Sequence, residues 1–115
     1  MQDEIVLDAQ QWLREAEDHI RDVQKHVKHA AVSSTLPSSN AGVHLNITTL
    51  EEENLCVQLS ASGLCIVGHN FDDTNLEKNN CQMYETIHAL LDSLSPKYRE
   101  SFSSELQTKL LQLLQ

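Results

Sequence analysis

From Ser95 to Gln115 the chain reads SPKYRESFSSELQTKLLQLLQ, with more leucine than one buried helix face can use. Ser95-Pro96 reads as a helix start. A serine side chain accepts a bond from an orphan N–H of the first turn, and the fixed φ of proline suits the first helical position. Tyr98, Phe102, Leu106, Leu110 and Leu113 then recur at steps of 4, 4, 4 and 3. At about 100° per residue they form one stripe. Leu114 widens that stripe, whereas Leu111 points to the opposite side. A helix apolar on two sides needs two surfaces to bury against. One is the chain's own core, and the other is expected to be a partner.

The remaining 94 residues of the 115 must supply that core. A chain of this length suits one domain, residues 1–115, which buries roughly two-thirds of its unfolded surface. Its formal charge is −9, from 8 Lys and Arg against 17 Asp and Glu. The basic residues are scattered, so neither nucleic acid nor an anionic membrane is an expected partner, because both require clustered cations. Met1-Gln2-Asp3-Glu4 lacks a basic leader and no apolar run follows it, so no signal peptide is expected. No stretch reaches the length of a membrane span. Cys56, Cys65 and Cys81 are odd in number and lack a CxxC spacing, which implies neither a disulfide framework nor a zinc site. The cytoplasm is the expected compartment, with the nucleus as a second. Asn46-Ile47-Thr48 matches a glycosylation sequon but falls within an expected strand, so the match is read as chance.

Residues 3 to about 32 read as one long helix. Ile5, Ala9, Trp12, Ala16, Ile20, Val23, Val27 and Ala30 follow helical spacing, Asp3 and Glu4 suit its positive end, and Lys25 and Lys28 its negative end. Ser33–Gly42 is a polar linker. Strands with period two follow: Val43, Leu45 and Ile47; Leu55, Val57 and Leu59; Leu64 and Ile66. Their short connections force antiparallel pairing. A polar loop spans 70–80, and a helix is expected from about Gln82 to Leu94, broken from the last helix by Pro96. The class is α+β: a long N-terminal helix, an antiparallel meander of three to four strands, and two C-terminal helices, in the order α-β-β-β-α-α.

Little in this pattern supports catalysis or a metal. His19, Asp22, His26 and His29 lie at steps of 3, 4 and 3 on one side of the first helix, a spacing able to present ligands together. They border its apolar face, where solvated His and Asp are ordinary, so no metal site is assigned. Cys56, expected to face outward, and Cys65 have no assignable base, and three glycines leave no phosphate loop. Glu51-Glu52-Glu53 and Asp72-Asp73 read as solvated turns. Neither catalytic residues nor cofactors are expected. Interaction remains: an amphipathic helix can lay its apolar anchors into a partner's groove. Phe102, Leu106, Leu110 and Leu113 offer such a row, and the plainer alternative places all four in the core.

Tyr84-Glu85-Thr86, Leu90-Leu91-Asp92-Ser93-Leu94-Ser95-Pro96, Tyr98-Arg99-Glu100 and Phe102 form a specific string. Together with Glu15-Ala16-Glu17, Asp22-Val23, Val27, Leu59, Gly63-Leu64, Val67-Gly68 and Phe71-Asp72, this string resembles the glycogen synthase kinase-3 beta interaction protein family. The resemblance covers all but the first dozen residues and the loops near 33–42 and 73–82. It implies a small cytosolic protein that binds glycogen synthase kinase-3 through its last helix and restrains the kinase, as in Wnt signalling toward β-catenin. The implied docking residues are Phe102, Leu106, Leu110 and Leu113, and their spacing is similar to that of axin's kinase-binding helix. Gln107 stands where the family often has a second leucine. Vertebrate members also resemble A-kinase anchoring proteins, whose first helix docks the type II regulatory subunit of protein kinase A. Here Ile20, Val23 and Val27 keep apolar positions, while His19, Gln24 and Lys25 replace apolar ones. The expectation is that this anchoring is weak or absent. A third reading, a structural module without kinase binding, rests on a related domain inside large clustered-mitochondria-type proteins.

Overall fold

The computed structural model describes residues 8–76 and 81–114. The elements are α1 (Ala9–Val23), a 3-10 turn (Gln24–His26), β1 (His29–Val32), β2 (Gly42–Thr48), β3 (Asn54–Ser60), β4 (Gly63–Gly68), α2 (Ile87–Leu94) and α3 (Pro96–Leu113). The α+β class and the helix, sheet, two-helix order are as expected. The sheet is one antiparallel meander of four strands, β1-β2-β3-β4.

The start of α1 is fixed by Asp8, whose carboxylate accepts from the Gln11 N–H while the Gln11 side chain accepts from the Asp8 N–H, both at 2.9 Å. This reciprocal box satisfies orphan donors of the first turn. Residues 3–7, expected to open the helix, lie outside the described residues, as do 77–80 of the polar loop. At its other end the helix stops at Val23, well short of residue 32. Val27 is extended, and His29–Val32 pairs with β2 from His29↔Thr48 to Val32↔Leu45. Val27 and Ala30 satisfy a helical stripe, yet Ala30 and Val32 equally satisfy period two. Pairing to the edge of β2 overrode local helix propensity there.

One face of the sheet carries the core. Val43, Leu45, Ile47, Leu55, Val57, Leu59 and Leu64 meet Trp12, Ala16 and Val23 of α1, Ile87, Leu90 and Leu91 of α2, and Tyr98 of α3. The other face holds a smaller cluster of Cys56, Cys65 and Val67 beneath Leu36 and Cys81. Two cysteine expectations are corrected there. Cys56 is fully buried, and burial pushes its thiol pKa up. Cys65 and Cys81 are joined by a disulfide across 16 positions. The link is made by the return of the chain over β4, which no local spacing announces. Beside the cluster, Asn46 donates to Asp72 Oδ1 at 2.8 Å and accepts from the Asp72 N–H at 2.9 Å. Ser33 Oγ donates to the same carboxylate, and these bonds hold Asp72 below the usual carboxylate range. The sequon asparagine is thus buried and occupied within the fold.

Before α2, the chain bridges the outer edge of β4: Leu64 and Tyr84 exchange both backbone bonds at 2.8 Å. Gly63 (φ +124°) permits this approach, since a Cβ there would lie 2.6 Å from the Tyr84 carbonyl oxygen. The bridge delays helix formation, so α2 begins at Ile87 with Thr86 as its cap and not near Gln82.

Candidate functional site

α3 is a helix of 18 residues, about 27 Å long, only part of which touches the rest of the molecule. Its start is heavily anchored. Ser95 Oγ accepts from the Tyr98 N–H at 3.0 Å and donates to Glu51 Oε1 at 2.6 Å. The second Glu51 oxygen accepts from the Lys97 N–H at 2.9 Å. One carboxylate from the β2–β3 turn thereby meets the positive end of the helix. Burial works to raise the pKa of Glu51, but its bonds to Ser95 and Lys97 outweigh it and hold the group below its ordinary value. Glu51 was expected to be a solvated turn residue and is instead part of the cap.

One turn on, Tyr98 is fully buried, with its hydroxyl 2.8 Å from His88 Nδ1. Burial and the nearby charges of Asp92 and Asp22 push its pKa up to about 12. Phe102 stacks over Tyr98 with ring centroids 6.0 Å apart, and it packs on His88 at 4.6 Å and His26 at 5.5 Å. His26 reaches Ser101 Oγ at 2.7 Å and Glu105 Oε1 at 3.1 Å, and Lys25 Nζ lies 3.3 Å from Glu105 Oε2. Burial works to raise the Glu105 pKa, but the bonds from Lys25 and His26 prevail and lower it. Glu105 is the last α3 side chain with a bond or ion pair to another element among the described residues.

Beyond Glu105 the helix stands clear. Leu106 and Leu110 are 50% and 52% exposed, Leu111 62%, Leu113 80% and Leu114 82%. The expected row therefore divides. Phe102 is half-buried and faces its own domain, while Leu106, Leu110 and Leu113 lie open. Lys109 is the single charged residue from 106 to 114. Such an apolar arm, bearing one cation on a chain of net charge −9, has the chemistry of a docking helix.

The second expected set is placed differently. Val23 and Val27 are 1% and 7% exposed within the core, and Ile20 is half-buried against it. Docking through these three would require α1 to leave the sheet. The four candidate metal ligands are dispersed by the end of α1: His29 is on β1 and His26 is engaged with α3. Among the described residues, no three His, Cys, Asp or Glu side chains gather as a metal-ion site. No described helix is long and apolar enough to cross a membrane.

Residues 12–113 match the family model of the GSKIP domain. The chain belongs to the GSKIP-domain family. The GSK3-beta interaction protein of Danio rerio is 41% identical over 101 residues, covering 88% of this chain and 75% of that protein. The GSKIP homolog of Drosophila melanogaster is 41% identical over 91 residues, covering 78% and 76%. The GSK3B-interacting protein of Homo sapiens is 35% identical over 96 residues, covering 84% and 68%. The family match takes in all of α1 from Trp12 onward and runs to Leu113, so it includes both the anchor of α3 and its free arm.

Proposed function

We propose that this protein is a non-catalytic regulator that binds glycogen synthase kinase-3 and restrains it by laying the free arm of α3 in a hydrophobic groove of the kinase. The observation that carries this reading is the exposure of Leu106, Leu110 and Leu113 on a helix whose base is fixed. The names of its relatives supply the partner. Fully burying one leucine contributes about 1.5–3 kcal/mol. Leu106 and Leu110 gain about half of that, because half of each is already covered. Association costs offset part of the total. The anchored base lowers those costs, because the helix is formed and aimed before it meets the kinase.

A charge at Leu110, as in L110K, is expected to abolish kinase binding in a titration of the full chain, with the far-UV circular dichroism and thermal midpoint of the parent retained. An axin-derived helix peptide is expected to displace the parent protein. Undiminished binding of L110K would remove the arm from the reading. Binding that the peptide cannot displace would place the contact elsewhere on the kinase. The alternative of an A-kinase anchor needs Val23 and Val27, which the core occupies. Tight binding of the protein kinase A regulatory subunit's docking domain would favour it.

A further inference from the structure

The kinase row uses Leu106, Leu110 and Leu113, which leaves Leu114, the most exposed leucine among the described residues, without a role. We infer that the arm of α3 also pairs with the arm of a second copy of this chain, forming a weak two-fold dimer centred on Leu110.

The spacing carries the inference. Tyr98, Phe102, Leu106, Leu110 and Leu114 form one ridge at steps of four. The first two members pack on their own domain, and the last three stand free. Ridges of this i±4n type interdigitate with their own kind at a crossing angle of about −50°, the commonest helix–helix geometry. The free part of the ridge is symmetric about its middle residue. A two-fold axis at Leu110 sets the two Leu110 side chains together, Leu106 against the other copy's Leu114, and Leu114 against its Leu106. Leucine thus meets leucine in every layer, as an isologous contact requires. The opposed directions of the two arms also carry the two domains apart.

Charge selects the occupant. Two chains of net −9 repel, yet the arm carries only Lys109, so copies can meet at this end. The same lack of cations turns the arm away from an anionic lipid surface. With only Leu113 flanking the ridge, the crossed arms form a small contact, below the roughly 1,200 Å² at which stable specific interfaces begin. The dimer is therefore weak and dependent on concentration.

Sedimentation equilibrium of the full chain, without kinase, tests this. Self-association is expected in the parent and is weakened at least about tenfold in L114K. Leu114 is 82% exposed in the single copy, so that variant folds normally. On mild oxidation, L110C is expected to crosslink to itself and Q112C is not, because Gln112 lies off the ridge. A parent that stays monomeric at the highest soluble concentration overturns the inference, as does an L114K that dimerises undiminished. Equal crosslinking of L110C and Q112C overturns the two-fold axis. The kinase takes no part in these measurements, so this inference and the kinase reading can fail separately.

Discussion

Ser95 ties the start of α3 to the β2–β3 turn, two parts of the chain that are distant in sequence. Its hydroxyl caps α3 through the Tyr98 N–H and donates to Glu51, 44 positions away. Removing a serine cap costs about 0.5–2 kcal/mol. S95A also strips Glu51 of a donor, so a loss in the upper half of that range is expected in urea unfolding. S103A, at an exposed mid-helix position, is expected to stay within about 0.5 kcal/mol of the parent. The cap itself was legible, because Ser95-Pro96 is a local signal. Glu51 was not, because nothing local marks which of three adjacent glutamates reaches another element.

At the scale of elements, α3 is a lever with an anchored half and a free half, and its anchors are acid-sensitive. Glu51 and Glu105 both have pKa values lowered in the folded protein. A lowered carboxyl stabilises the fold above its unfolded value and loses that contribution as pH falls through its folded one. The ordinary glutamate value is 4.5, so stability is expected to hold above it and to decline below it. E51Q tests the source. It is expected to be less stable than the parent at neutral pH, and the gap is expected to close toward pH 3 as Glu51 protonates. A gap unchanged across a chemical-denaturation series at each pH would assign the loss to packing. The elements also mark what was legible in sequence. Alternating Val43-Leu45-Ile47 and Leu55-Val57-Leu59 announced β2 and β3. The four residues of β1 did not stand out, since Ala30 and Val27 fit the helical stripe as well. Tertiary pairing decided between the two periods.

At the scale of the whole molecule, one sheet separates a large core from a small cysteine-containing one, and the disulfide ties the chain's return across β4 to the sheet. Closing a loop of this length contributes about 3 kcal/mol. A reductant is expected to lower the thermal midpoint of the parent and to leave C65S unchanged. In a reducing compartment the pair stands open as thiols. The two cysteines are far apart in sequence and share no motif, so their pairing was invisible before the strands were placed. The exposed leucines were visible from the outset, because no arrangement of one helix on one core could cover both of its apolar sides.

The docking arm is the claim on which the functional reading turns, and hydrogen–deuterium exchange of the full chain with and without glycogen synthase kinase-3 tests it most directly. The account expects new protection along residues 106–113, which are helical but solvated when free, and little change over β2 and β3. Kinase binding that leaves 106–113 exchanging at their free rate, with protection appearing on α1 or the sheet, would contradict it.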